Sequence, residues 1–174
     1  MDFELSEDQE ALAEGVAALC EGRFDIDAIR AMEADGLDRG RWVELAETGV
    51  FSLCLDEADG GVGLGWAEAA VVFEKLGRSL VPGPLVATTL AAGLVDGAAD
   101  GSTVVTTVER GTGPLNVEHV AWADDVVISD EHGLWTVAAG ALPRAHADPP
   151  HDPLTPIPGV EWLPPGVQVG YAAT

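Results

Sequence analysis

The residues whose types and spacing could do chemistry are a glycine-rich loop, a scatter of carboxylates and a histidine–aspartate cluster. Residues 59–65, DGGVGLG, hold four glycines in seven positions. Bare amides ahead of a helix can cradle phosphate or carboxylate. A dinucleotide fingerprint would follow a strand in a βαβ unit, with an acidic residue about 20 positions later. Helical patterns stand on both sides of this loop instead. It therefore reads as a tight helix-to-helix turn needing positive φ, with an anion or nucleotide cradle as the alternative.

Proton abstraction needs a carboxylate in a dry pocket. Glu57, Glu68, Glu74 and Glu118 are the carboxylates nearest apolar segments. Each reads more simply as a helix-surface, ion-pair or edge residue. Asp124 and Asp125 are adjacent, and adjacent residues of a strand point to opposite faces; they read as solvated. His146, Asp148, His151 and Asp152 lie within HADPPHD. A metal site is the alternative there, but the spacing matches no known ligand pattern and prolines crowd it, so a solvated loop is the expectation. Cys20 and Cys54 are not in a CxxC or other ligand spacing and read as reduced, buried small hydrophobes. No Ser-His-Asp, Cys-His or P-loop arrangement is evident. The residues alone thus give no catalytic assignment, no cofactor-binding assignment and no metal site.

The elements that would position these groups come next. Ser6 and Gln9 make a capping box with acidic residues in the first turn. A first helix is predicted over 7–21, with Gly22 as its stop. Asp25 or Asp27 caps a short second helix that ends at Gly36. A third carries Trp42, Val43, Leu45 and Ala46 and stops at Gly49. Residues 50–55 are apolar and ambiguous between an extended connection and a helical turn. Residues 66–78 form a strong helix, with Ala69, Val72, Phe73 and Leu76 as its stripe and Glu74 and Arg78 paired at i, i+4. Pro82-Gly83-Pro84 ends it. Residues 85–95, LVATTLAAGLV, read as a buried core helix closed by Gly97, too short for a membrane span.

Near Asp100 the pattern changes. Residues 103–108 are β-branched and read as a strand. Residues 117–122 and 126–128 read as two more. Residues 129–133 form a turn to a strand over 134–138, giving a hairpin. From Pro143 onward stand eight of the 11 prolines. They exclude regular structure, save one short edge strand around 160–163. The fold class is therefore α+β: an N-terminal helical bundle over 1–99, then a small, mostly antiparallel β domain over 100–174 with a Pro-rich C-terminal segment.

Composition narrows the partners. The 174 residues are 47% apolar, with 30 acidic and 8 basic residues and a formal net charge of −22. Nucleic-acid and anionic-membrane binding need clustered Lys and Arg, so neither is expected. The acidic N-terminus is no signal or transit peptide, and no apolar run reaches membrane length. A cytoplasmic protein is expected.

Three runs carry a family resemblance: FELSEDQEAL, LAETGVFSLCLDEADGGVGLG and AEAAVVFEKLGRSLVPGPL. Together they resemble the N-terminal helical domain of acyl-CoA dehydrogenases, in particular the divergent actinobacterial FadE-like type. The matching positions are Gly49, Gly60-Gly61-Val62-Gly63 and Glu74-Lys75-Leu76-Gly77-Arg78. NVEHVAWADDVVISDEHGLWTV is similar to the family's middle β domain, with Ala123-Asp124 ahead of an apolar strand. Asp152-Pro153-Leu154-Thr155 is similar to an Asp-Pro-Thr-Arg motif but lacks the arginine. Asp56 stands where the family has proline. The Thr-Glu-Pro and Gly-Ser-Asp region that holds flavin and thioester has no counterpart between Val108 and Val117.

The resemblance implies FAD-linked α,β-dehydrogenation of acyl-CoA thioesters, in fatty acid or steroid side-chain breakdown. It also implies a homo- or hetero-oligomer with an acyl-CoA dehydrogenase-like subunit. The family's C-terminal four-helix domain, with its catalytic glutamate, much of the FAD contact and the tetramer interface, is expected to lie outside this sequence. The expectation is a partial or non-catalytic subunit that does not hold FAD by itself. The alternative is a non-catalytic interaction module that binds through the face of residues 85–95.

Overall fold

The computed structural model describes residues 4–111, 115–143 and 152–171. Five helices precede the sheets: α1 (Glu7–Arg23), α2 (Ile26–Asp35), α3 (Arg39–Glu47), α4 (Trp66–Arg78) and α5 (Leu85–Ala91). The strands are β1 (Val105–Glu109), β2 (Leu115–Asn116), β3 (Asp125–Asp130), β4 (Gly133–Ala138), β5 (Gly159–Val160) and β6 (Val167–Tyr171). This is the expected α+β class. Among the described residues no helix is long and apolar enough to cross a membrane.

Local signals set the helix starts. Ser6 Oγ accepts from the Gln9 amide at 3.2 Å, and Gln9 Oε1 accepts from the Ser6 amide at 3.1 Å. Asp25 caps α2 through the Ala28 amide at 2.8 Å. α1 runs through Gly22 to Arg23, and the Phe24 amide closes it on the Cys20 carbonyl. Gly22 is therefore not the stop; α1 continues two residues beyond the expected end, and the Phe24 ring that follows is buried. Ala69, Val72 and Leu76 give α4 its buried face. Gln9 Nε2 donates to Glu68 Oε1 at 2.8 Å and ties α1 to α4.

The helical core gathers around Trp42, Leu45, Phe51, Val72 and Leu76. The Trp42 and Phe51 ring centroids are 4.5 Å apart. Residues 50–55 are turns, so the ambiguous stretch is not extended. Pro82-Gly83-Pro84 does more than end a helix. Gly83 sits at φ +111°, where an added Cβ would stand 2.7 Å from Trp42 Cζ3. The chain presses its backbone onto the indole there, and only glycine allows that approach.

Residues 85–95 depart from the expected buried helix. α5 ends at Ala91, and turns follow before Gly97 is reached. Thr88, Thr89, Ala91 and Val95 are buried, but Val86, Leu90 and Leu94 are exposed. β-Sheet neighbours cover only one side of this short helix. Cys20 is buried as expected, whereas Cys54 is half-buried; both thiols are free.

The main sheet has the order β1-β3-β4-β6. β1 pairs with β3 in parallel, while β3–β4 and β4–β6 are antiparallel. β2 and β5 form a separate antiparallel pair. The β3–β4 hairpin is as expected. Residues 117–122 are not a strand. His119 takes φ +55°, and its carbonyl accepts from the Trp122 amide at 2.8 Å and the Ala123 amide at 3.1 Å. The run is apolar because Val117 and Val120 fill the core beneath the turn. The edge strand expected near 160–163 is β5, shifted earlier. β6, past the last proline, was not anticipated.

Asp124 joins the helices to the sheet, contrary to the reading of it as solvated. Its carboxylate accepts from Arg39 of α3 at 2.6 and 3.1 Å and from the Val104 amide at 2.8 Å. The same guanidinium donates to the Trp122 carbonyl at 2.6 Å. Burial alone would raise the Asp124 pKa, but Arg39 and the Val104 amide outweigh it and hold the carboxyl below its ordinary value. Asp125 is pushed the other way, by burial first and by the Asp124 charge second.

The glycine loop is spent on its own turn. The amides of residues 60 to 64 donate to the carbonyls of Glu57, Asp56, Ser52, Leu55 and Leu53 in that order. The Gly65 amide donates to Glu68 Oε2 at 3.1 Å. No amide from 60 to 65 is left to meet an anion, so the tight-turn reading holds and the cradle does not. Gly60 and Gly63 take φ of +83° and +73°, and a Cβ at Gly61 would fall 2.1 Å from the Leu55 carbonyl oxygen.

Two outcomes follow for stability. Asp124→Ala should cost about 1–2 kcal/mol, since it strands the Val104 amide and the Arg39 head together. A folded-state pKa below the unfolded value gives a contribution that is full above about pH 3.9 and lost as pH falls through the folded value. Urea unfolding of wild type and variant should accordingly converge in acid, and a gap independent of pH would contradict this assignment. Gly61→Ala should destabilise by about 1–3 kcal/mol through overpacking against backbone, well beyond Gly77→Ala in α4, where the backbone is helical and an added Cβ meets nothing. Equal melting temperatures for the two variants would contradict that account of the loop.

Candidate functional site

A groove of about 740 Å³ runs between α5 and the outer edge of β1, floored by β2 and the turn after it. β1 lies at the edge of its sheet, so one side of its backbone has no strand neighbour among the described residues. Thr88 of α5 occupies the first pair of groups on that side. Its hydroxyl accepts from the Val105 amide at 3.2 Å and donates to the Val105 carbonyl at 2.9 Å. Because backbone polar groups alternate along a strand, Thr107 and Glu109 share the outward side with Val105. Their amides and carbonyls face the groove. Val86 and Leu90 of α5 supply an apolar wall opposite.

The groove carries two carboxylates, Glu109 and Glu118, both exposed. No Lys or Arg is among its described lining residues. Thr106 Oγ1 donates to the Glu118 carbonyl at 2.7 Å and pins the turn to β1. The turn places His119 in the lining, buried, with its ring 5.2 Å from that of Trp122 at 28°. Burial lowers the His119 pKa, against the opposing charges of Glu118 and Asp152, so the ring is neutral at pH 7.

Of the carboxylates singled out from sequence, Glu118 alone reaches the groove. Glu68 caps α4 and bonds Gln9, which lowers its pKa. Glu74 pairs with Arg78 and Lys75. Glu57 stands exposed in the short 3₁₀ turn before the glycine loop. Among the described residues no three His, Cys, Asp or Glu side chains form a metal-binding group. His146, Asp148 and His151 lie outside the described residues; Asp152 accepts from the Leu154 amide at 2.9 Å. Glu109 and His119 were missed from sequence. The one available signal for His119 was its place three positions before Trp122 in an apolar run.

The acyl-CoA dehydrogenase N-terminal domain model matches residues 6–100. The acyl-CoA dehydrogenase IpdE2 of Mycolicibacterium smegmatis is 48% identical over 90 residues, covering 50% of this chain and 29% of that protein. Its namesake from Mycobacterium tuberculosis is 33% identical over 177 residues, covering 88% of this chain and 55% of that one. The chain thus spans about half the length of the latter, and less of the former. In fold it is similar to a solved chain of the ChsE4-ChsE5 complex from Mycobacterium tuberculosis, with a TM-score of 0.70 at 18% identity over 98% of this chain and 59% of that one. With more than half of its residues under that domain model, and the helical half folded around Trp42 and α4 as described, the chain belongs to the acyl-CoA dehydrogenase family.

Proposed function

We propose that this chain forms part of an acyl-CoA dehydrogenase unit that oxidises acyl-CoA thioesters, and that its catalytic base and phosphate-binding cations come from protein outside the described residues. Residues 1–99 would serve as the N-terminal helical domain and residues 100–174 as a shortened middle β domain. The observation that carries this reading is the half-walled groove between α5 and the open edge of β1. It offers an apolar wall and outward backbone donors and acceptors but no enclosure.

FAD is the cofactor that the family implies, and it supplies a hydride acceptor when bound. The described lining fits an uncharged ring or acyl chain. It does not fit the cofactor's diphosphate, because two carboxylates and no Lys or Arg stand among the described lining residues. Glu109 and Glu118 are exposed, and an exposed carboxylate is a weak base for an α-proton. We accordingly assign neither of them as catalytic. A partner of the same family would supply what is lacking; the relative seen as a ChsE4-ChsE5 complex supports that expectation. A cytoplasmic protein of lipid breakdown is the setting that suits such a substrate.

A second reading, a non-catalytic interaction module, is favoured by one feature: the exposed Val86, Leu90 and Leu94 on and just after α5. Purification from the native host with cofactor retained separates the two. Flavin absorbance and acyl-CoA-dependent reduction of an electron acceptor are expected in material well above 18.0 kDa, and both should be lost when this chain is removed. An 18.0 kDa species with neither flavin nor turnover would overturn the enzyme reading in favour of the module. The same species with both would overturn the partial-subunit reading.

A further inference from the structure

β1 is an edge strand whose outer side is only partly satisfied. Thr106 and Val108 turn their backbone groups toward β3, as does the Arg110 amide, which donates to the Ser129 carbonyl at 2.8 Å. Val105, Thr107 and Glu109 turn theirs outward. The Thr88 hydroxyl meets both groups of Val105. The amides and carbonyls of Thr107 and Glu109 have no partner among the described residues, and both residues are exposed. Two open residues, closed off by Thr88 at one end, set the length and register of whatever pairs there.

The charge beside this edge selects the occupant. Glu109 and Glu118 stand in the groove lining, with no Lys or Arg among its described residues. Arg110, next in sequence, is held by Asp130 at 3.2 Å. A charged side chain on an open edge deters pairing with like edges. A second copy of this chain, with its net charge of −22, would bring its own Glu109 to the pairing. An opposite charge directly across the pair favours it instead. Val86 and Leu90 add an exposed apolar wall beside the edge.

We propose that the open edge of β1 receives an extended basic segment of another protein, paired antiparallel with Thr107 and Glu109 and placing a lysine or arginine directly opposite Glu109. In this arrangement the residue across from Glu109 exchanges both backbone hydrogen bonds with it. Its side chain then lies on the same face as the carboxylate, within reach of an ion pair. Thr88 stops the pairing at Val105, so the segment is short, and its selection comes from charge and register. The inference rests on the partial-subunit reading and deepens it by giving the chemistry of the partner.

The test titrates the ¹⁵N-labelled 174-residue chain with blocked seven-residue peptides and follows its amide resonances by NMR. A peptide alternating lysine and valine should give saturable shifts at Thr107 and Glu109 and leave the amides around Trp42 unmoved. N-methylation at its lysines should abolish those shifts. N-methylation at its valines, whose N–H groups face away from β1, should not. The matching glutamate–valine peptide should bind about tenfold more weakly. Glu109→Lys should invert that preference, and Glu109→Gln should reduce it; the dispersion of each spectrum shows whether the variant is folded, and the wild-type peptide series decides if neither is. Absent shifts at Thr107 and Glu109, equal affinity for the two peptides, or indifference to the site of N-methylation would overturn the proposal. Shifts there that grow with protein concentration alone would make the occupant a second copy and overturn it too. So would amides already protected in the isolated chain, which would make the cover further residues of this chain. The readout needs neither flavin nor turnover, so its failure leaves the enzyme reading standing. An 18.0 kDa species without flavin or turnover that still prefers the lysine peptide would remove the enzyme reading and keep the edge site.

Discussion

Asp124 makes one carboxylate answer to both halves of the molecule. It takes the Arg39 guanidinium from α3 and the Val104 amide from the chain entering β1. Its own amide returns a bond to the Val104 carbonyl at 2.8 Å. Through Arg39 the same junction holds the Trp122 carbonyl, and so the end of the turn that carries His119. The groove is what lies between the parts this junction fixes. α5 can press Thr88 onto the edge of β1 only while the sheet is held at that distance from the helices. Ala91, Val95, Ala98, Val105 and Val127 then seal the seam behind it.

The groove shows what this framework provides and what it leaves to others. Parallel pairing with β3 satisfies one side of β1. On the other side the Thr88 hydroxyl satisfies Val105, and the outward groups of Thr107 and Glu109 are available to a ligand or to protein that covers them. An unpaired strand edge beside an apolar helix face is a surface that folded proteins normally cover. The acidic lining and the chain's net charge of −22 set the terms for whatever covers it. Phosphates need cations brought from elsewhere.

The helical half was legible because its signals are local. Ser6 with Gln9, Asp25 with Ala28, and the stripe of α4 each act within one or two turns, and periodicity reports them directly. The glycine loop was legible as a turn for the same reason. The β half was less so. Parallel pairing of β1 with β3 is a long-range choice that neither strand's pattern encodes. The run 117–122 has the composition of a strand, but the left-handed backbone at His119 bends it into a turn. The role of Asp124 depends on Arg39, 85 positions away, so adjacency to Asp125 was the wrong context for it. Residues 85–95 looked nearly all apolar, and no pattern separates an apolar face awaiting cover from one already covered. The groove itself arises from three segments and has no sequence signature.

The central claim is that the open edge of β1 and the bare face of α5 form a site completed by further protein. Amide hydrogen exchange tests it most directly, read at Thr107, Glu109 and Val86 to Leu90, in the native assembly and in the separated 174-residue chain. The account predicts at least about tenfold slower exchange at these amides in the assembly, corresponding to about 1.4 kcal/mol of added protection, with the amides around Trp42 unchanged. Equal exchange in the two states, or protection confined to the helical core, would contradict it.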